Sequence, residues 1–456
     1  CTHAYTGKEN IVAHNDTVID LEDLEMTPLL KRVIVFSSGG PFLEGYVLAI
    51  IGVAMQAMGN DLVLDAHWRG LLGVASLVGL FLGASVGGWL TDLIGRRKMF
   101  VIDLVVIAVL SILCAVVQNP ISLLILRFLV GVAVGADYPI ATSMIAEFSP
   151  RKYRAGAMGI IAAAWYLGAN VAALVGFCLY NTAHGWRYML ASSAIPCILI
   201  LIGRWDIPES PRWLVSKGRA AEAQAIVHKT LGANVRLPKA EEAAKTSVSK
   251  VLRGVYLQRI IFIGVIWLCQ AIPMFAFYTY GEQIIGSAIG LEHGRDALLV
   301  ELLVGTFFML GTFPAMYLCE RIGRRPLIIG CFGGMTIALA IVGFFPGAGI
   351  GLIMGCLIAY ALLAGGPGNL EWLYPNELFP TEVRATAMGF AMSLSRIGTV
   401  VSLYILPSFM ETHGFGMTML AGAAISVLGT VVSIIWAPET RGYTLAETGS
   451  VDFKGR

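Results

Sequence analysis

Six ionisable residues, Glu44, Asp103, Arg127, Asp137, Glu301 and Arg396, interrupt apolar stretches long enough to cross a bilayer. Each costs roughly 2.5–3.5 kcal/mol on insertion scales, so it needs a partner, a water-filled cavity or a function. Glu44 lies in Phe42-Leu-Glu-Gly-Tyr46, near the middle of its stretch. A carboxyl held there can load and release a proton; the alternative is a buried structural acid. Arg396 lies deep in another apolar run. Its guanidinium stays charged and offers a planar fork for a carboxylate or phosphate, or else forms an interhelical pair with an acid such as Glu371. Arg127 can bridge helices as a structural cation, and Asp137, ten residues on, can cap a helix break beside Pro139. Asp103 and Glu301 stand within a turn or two of a boundary and are expected to snorkel to water.

The elements that must position these groups are membrane helices. The chain has 456 residues, 57% hydrophobic and 14% charged, with a mean hydropathy of +0.74, which excludes a soluble globular domain. At about 20 residues per span, twelve helices take roughly 240 residues and leave the rest for loops, tails and a linker. Apolar stretches fall near 33–57, 70–91, 99–117, 120–146, 156–180 and 187–205, then 260–281, 297–319, 326–346, 350–374, 386–410 and 415–437, numbered spans 1 to 12. The expected organisation is an all-α membrane protein: a tail over 1–31, a six-helix bundle over 32–205, a linker over 206–256, a second six-helix bundle over 257–438 and a tail over 439–456. Within the linker, Ala221-Glu-Ala-Gln-Ala-Ile226 is rich in helix formers and predicts short helices. Fifty-two glycines suit close packing of membrane helices.

Charge placement sets the orientation. Arg96, Arg97, Lys98, Arg151, Lys152, Arg154, Arg321, Arg324, Arg325 and Arg384 fall on one side with the linker and both ends, against Arg69, Arg187 and Arg295 on the other, so both termini are expected in the cytoplasm. A net charge of +2 argues against nucleic acid as a partner. Seven of eight cysteines lie inside apolar runs without metal-ligand spacing, and no histidine falls within a span. No nucleotide loop or nucleophile and base pair is visible, so neither an enzyme nor a cofactor or metal is expected.

Three signatures recur along the chain. Asp92-Leu-Ile-Gly-Arg-Arg97 returns 228 residues on as Glu320-Arg-Ile-Gly-Arg-Arg325. Glu147-Phe-Ser-Pro-Arg-Lys-Tyr-Arg154 returns 230 residues on as Glu377-Leu-Phe-Pro-Thr-Glu-Val-Arg384, and Pro208-Glu-Ser-Pro-Arg212 as Pro438-Glu-Thr-Arg441, again after 230. Each half holds an even number of spans, so the repeat is parallel, with its axis along the membrane normal and a cavity between two bundles. The repeated charges Asp92, Arg96, Arg97, Glu147, Arg154, Glu320, Arg324, Glu377 and Arg384 are expected to latch an inner gate; the alternative is a set of solvated anchors.

From about residue 33 to 443 the chain resembles the major facilitator superfamily of secondary transporters. Gly88-Trp-Leu-Thr-Asp-Leu-Ile-Gly-Arg-Arg-Lys98 resembles that family's loop between spans 2 and 3, and Pro208-Glu-Ser-Pro-Arg-Trp213 and Pro438-Glu-Thr-Arg-Gly442 resemble its sugar-porter branch. The stretch from Arg127 to Pro139 is closer to bacterial metabolite and phosphate proton symporters, while Glu377 to Arg384 and Ser395-Arg-Ile-Gly398 resemble the organic-ion branch. The resemblance implies a proton role for Glu44, with Arg127 as the arginine that pairs with the span 1 acid, although sugar porters carry that acid where this chain has Val47, about one turn on. It implies that Asp137 is a second proton or substrate site and that Arg396 marks an anionic substrate. Gln270 and Trp372 resemble substrate-contacting positions of sugar porters, and Trp165, Tyr166, Phe277, Tyr278 and Tyr280 are expected to complete the cavity wall.

Together these features predict a monomeric twelve-helix transporter in a bacterial inner membrane, its partners protons, a small-molecule substrate and the bilayer. It would import a small organic anion such as a sugar acid with one or more protons, the alternatives being a neutral-sugar symporter or a phosphate or organic-ion transporter.

Overall fold

A computed structural model describes residues 19–20, 25–148, 151–232, 235–236, 253–289, 295–379, 381–443, 445–448, 450 and 453. Span 1 begins at Pro28 behind Thr27, whose hydroxyl accepts from the Leu30 N–H at 3.3 Å, and runs as Pro28–Ser37 and Gly39–Leu62. Its start lies ahead of the apolar stretch because this cap and a proline in the first turn suffice to nucleate it. Span 2 (Ala66–Ile94) starts behind Asp65, whose carboxylate accepts from the Trp68 N–H at 2.8 Å. Span 3 (Arg96–Cys114), span 4 (Pro120–Phe148), span 5 (Arg151–Leu179) and span 6 (Gly185–Ala191 and Ala194–Arg204) follow. Span 6 is not continuous as its apolar stretch suggested, but breaks at Ser192–Ser193. The linker carries two short helices, Pro211–Ser216 and Ala220–Leu231.

Spans 7 to 10 are Gly254–Ile289, Arg295–Ile322, Arg324–Phe344 and Ile350–Leu378. Spans 11 and 12 share Thr381–Trp436 and part at Gly414, whose φ of +78° suits glycine. Ten segments are long and apolar enough to cross a membrane by composition alone. The total is twelve because Ala387–Trp436 holds two spans and because Arg96–Cys114, with Arg96, Arg97, Lys98 and Asp103, is too charged for that count.

Close approach through glycine draws the helices together. A Cβ at Gly131 would lie 2.1 Å from the Ser76 carbonyl oxygen, one at Gly45 2.0 Å from that of Trp165, and one at Gly311 2.2 Å from that of Leu362. Spans 2 and 4, 1 and 5, and 8 and 10 therefore pack backbone to backbone, as helices do where lipid removes the hydrophobic drive. Apolar side chains such as Val109, Ile112, Leu199, Ile202 and Ile337 point outward, as a lipid-facing surface requires.

The linker, the span 2–3 turn and both terminal segments gather at one end, the terminal face. There Ile19–Asp20 pairs in parallel with Val235–Arg236, joining the N-terminal segment to the linker. Arg259 at the start of span 7 donates to the carbonyls of Leu378, Thr448, Ser450 and Phe453 and so holds the C-terminal segment.

Candidate substrate cavity and gates

A narrow cavity of about 50 Å³ lies between the bundles, lined by Glu44, Trp165 and Tyr166 of the first and by Gln270, Phe275, Glu371, Trp372 and Arg396 of the second. Gly45, packed on the Trp165 carbonyl, brings spans 1 and 5 close enough for Trp165 to turn its indole toward the Glu44 carboxylate. Arg396 Nη2 meets Glu44 Oε1 at 3.5 Å, an ion pair that crosses from one bundle to the other, with both side chains almost fully buried. The same guanidinium lies 5.2 Å from the Phe275 ring centroid, and its Nε has no hydrogen-bond partner among the described residues. Glu371 stands within electrostatic range of Arg396, and its Oε1 is likewise buried without a partner. Gln270 Nε2 reaches the Tyr166 hydroxyl at 3.4 Å, and Trp267 and Trp372 meet edge to face at 5.5 Å. A wall with one cation, two acids, an amide and flat aromatic faces can hold a small polar solute.

The expected coupling partner of Glu44 needs correction. Arg127 makes no ion pair among the described residues; its Nη2 donates to the Val47 carbonyl at 2.7 Å. It does reach span 1, at the position where sugar porters carry their acid, but this chain has its acid one turn earlier, within reach of Arg396 instead. Asp137 does not line the cavity either, and it caps no helix break. Arg204 holds it by two hydrogen bonds, Nη1 to Oδ1 at 2.8 Å and Nη2 to Oδ2 at 3.1 Å. Asp103, expected to snorkel, is 3% exposed and lies in the same cluster, 3.8 Å from Arg204; Glu301, also 3% exposed, packs against the backbone of Gly281. Sequence reasoning passed over Arg204, although an arginine near the end of an apolar run was a signal that an acid needed it.

The aromatic residues divide into two groups. Trp165 and Tyr166 line the cavity, while Tyr278 lies behind them, its ring edge to face with Trp165 at 5.5 Å, and Phe277 packs on Phe308 at 5.7 Å. Tyr280 belongs to a seal on the face opposite the termini, donating to the carbonyls of Arg69 and Leu403. The Arg69–Glu411 ion pair and the contact of Tyr404 with His67 at 3.0 Å complete that seal between bundles. In the last turn of the span 1 helix, beyond the apolar window that ends at Met55, the Trp186 indole N–H (2.6 Å) and His184 hold the Asp61 carboxyl below the usual carboxylate range.

On the terminal face, Arg324 pairs with Glu377 at 2.8 Å, and the Thr440 hydroxyl donates to the same carboxylate at 2.5 Å. Both contacts stay within the second bundle, so they brace that bundle and do not latch it to the first. Glu320 is exposed. The side chains of Asp92, Glu147, Arg154 and Arg384 lie outside the described residues. Arg96 and Arg97 are held through their backbone: Glu209 accepts from both N–H groups at 2.9 and 3.1 Å, as Glu439 does from Arg324 and Arg325, both at 3.1 Å. These two glutamates were visible as repeated Pro-Glu motifs. Their work as caps was not, because it depends on Gly95 and Gly323, whose φ values of +115° and +96° leave room beside the carboxylates.

Two six-helix bundles repeated in parallel, with a charged cavity between them and a seal on one face, define a secondary transporter of the major facilitator type. The chain belongs to the family described as "Sugar (and other) transporter", whose model matches residues 32–451. It is 49% identical over 437 residues to the "Putative metabolite transport protein YaaU" of Escherichia coli K12, covering 96% of this chain and 98% of that one. It is 33% identical to the "Inner membrane metabolite transport protein YgcS" of the same strain, again over 96% and 98%. The fold is that of the xylose transporter XylE from E. coli in its partially occluded inward-open conformation, with a TM-score of 0.77 and 22% identity over 92% of this chain and all of that one.

Proposed function

We propose that this transporter is a proton-coupled importer of a small hydroxylated organic anion, a sugar acid or related carboxylate, working as a monomer in a bacterial inner membrane with both termini in the cytoplasm. The observation that carries the reading is the Glu44–Arg396 ion pair between the bundles. While Glu44 is ionised it occupies the Arg396 guanidinium; a proton on Glu44 releases Arg396 to a substrate carboxylate. Proton and anion then bind together at no net change in charge, and the bundles rock around them. Gln270, Tyr166, Trp165 and Trp372 would orient the rest of the solute, with Tyr278 supporting Trp165. Arg127 fixes span 1 through its backbone. The Arg324–Glu377 pair and the Glu209 and Glu439 caps keep each bundle rigid as it moves, and Asp92, Glu147, Arg154, Glu320 and Arg384 would contribute to the inner gate.

A neutral-sugar symporter is the second reading. It is favoured by the unpartnered Oε1 of Glu371, which suits a substrate hydroxyl, and by the family's name. Internal pH in proteoliposomes separates the two when sugar acids, aromatic acids, phosphate, neutral sugars and organic cations are added outside. Acidification with carboxylates, lost in Arg396→Ala, is the expected result. Acidification with neutral sugars alone, retained in Arg396→Ala, would refute the anion reading.

A further inference from the structure

Glu371 of span 10 is 4% exposed and makes no hydrogen bond and no ion pair among the described residues. It lines the cavity, where Arg396 is the one cation among the described residues. Gly368, three residues earlier and so on the same helix face, packs on the first bundle: a Cβ there would lie 3.1 Å from the Tyr166 hydroxyl oxygen. That contact turns the Glu371 face of span 10 toward Tyr166 and Gln270. Trp372, the next residue, stands edge to face with Trp267 on the same wall at 5.5 Å.

This wall is short of positive charge. Glu44 takes up the Arg396 guanidinium at 3.5 Å, which leaves the second acid without a counter-ion, and a buried carboxylate with neither donor nor cation is costly. The fold does not ask for that acid: 230 residues earlier, at the matching place in the first bundle, the chain has Ala141. A proton on Glu371 would cancel its charge and still leave the group without a hydrogen-bond partner. An incoming monocarboxylate deepens the shortage, because Arg396 then serves the substrate and Glu371 faces a further negative group. A substrate hydroxyl gives Oε1 a donor but no charge. A protonated amine gives it both, and the faces of Trp267 and Trp372 attract a cation.

We infer that the carboxylate this transporter carries also bears a cationic nitrogen: a zwitterion whose carboxylate binds Arg396 and whose ammonium group binds Glu371. The inference rests on the reading that protonated Glu44 yields Arg396 to the substrate. The loaded cavity then holds two complementary pairs and no net charge, whereas a monoanion leaves it with one negative charge in excess. Amino acids and amino-sugar acids fit this class by donating an N–H to Glu371 Oε1. Their N-methylated counterparts fit it through charge and the tryptophan faces.

Matched pairs of acids that differ at the nitrogen test the class, with tryptophan fluorescence of the purified full-length protein in detergent at mildly acidic pH as the readout. The pairs are glycine and glycine betaine against glycolate, γ-aminobutyrate and its trimethylammonium derivative against γ-hydroxybutyrate, and glucosaminate against gluconate. In at least one pair a nitrogen-bearing member should bind about 10- to 150-fold more tightly than its hydroxy acid, and Glu371→Gln should remove that preference while leaving the affinity for the hydroxy acid unchanged. If Glu371→Gln fails to fold, the wild-type pairs decide alone. No tighter binding of the nitrogen-bearing member in any pair, or a preference that survives Glu371→Gln, would overturn the inference. Its failure is distinct from that of the reading beneath it. Amino and hydroxy acids that bind alike, and are both lost in Arg396→Ala, leave the carboxylate reading standing without the ammonium group; affinities untouched by Arg396→Ala bring down both.

Discussion

If Glu44 and the substrate compete for Arg396, neutralising Glu44 should tighten anion binding while abolishing uphill transport. The strength of the competition can be worked from the pair. At 3.5 Å two unit charges attract by about 5 kcal/mol at an effective dielectric of about 20. Withdrawing both ions from water offsets a large part of that, and a net of about 1–3 kcal/mol is what an incoming carboxylate must displace. Glu44→Gln should therefore bind the transported acid about 5- to 150-fold more tightly at alkaline pH. Under acidic conditions, where wild-type Glu44 is itself protonated, the two proteins should converge. Trp165 and Trp372 line the cavity, so their fluorescence can report each titration directly. Accumulation driven by a proton gradient, measured in proteoliposomes, should fall to equilibration in the variant. Unchanged affinity at alkaline pH, or a variant that keeps the wild-type pH slope, would show that Glu44 does not guard Arg396.

Glu439→Ala removes a carboxylate that accepts from the backbone N–H groups of Arg324 and Arg325; thermal unfolding in detergent should show a loss of about 1.5–3 kcal/mol, with a similar loss for Glu209→Ala. Gly70→Ala places a Cβ 2.7 Å from the Tyr404 carbonyl oxygen across the bundle interface, so it should shift the population toward the state in which that face is open; cysteine labelling of the seal would rise, and unchanged labelling would count against the seal. Asp61, whose carboxyl is depressed by Trp186 and His184, contributes stability that is full above the ordinary carboxylate value near ~3.9 and is lost as pH falls through its lower folded value. Asp61→Asn should thus lower stability at neutral pH by no more than about 1 kcal/mol, given its exposure, and leave it unchanged in strong acid.

The spans, their parallel repeat and Glu44 and Arg396 of the cavity were legible in the sequence, because helix length and an ionisable residue in an apolar run leave marks that need no partner. What one chain does not reveal is which helix faces which. Arg127 was expected to pair with the acid of span 1, and Arg396 with a substrate anion or Glu371; Glu44 instead meets Arg396, and Arg127 meets the Val47 carbonyl one turn on. Asp137 raised the same ambiguity: its neighbour Pro139 suggested a local break, whereas its true partner, Arg204, is 67 residues away. Glu209 and Glu439 show the limit in another form, since a recurrent motif reveals that a residue matters before any contact says how.

The clasp around Arg259 has a consequence in time. Its acceptors beyond span 12, the carbonyls of Thr448, Ser450 and Phe453, lie 189, 191 and 194 positions downstream. At synthesis rates of about 5–20 residues per second, they emerge roughly 10–40 s after the arginine does. Through that interval the entry to span 7 holds a cation that lacks these three acceptors, and the clasp cannot close around it until the segment beyond span 12 has been made.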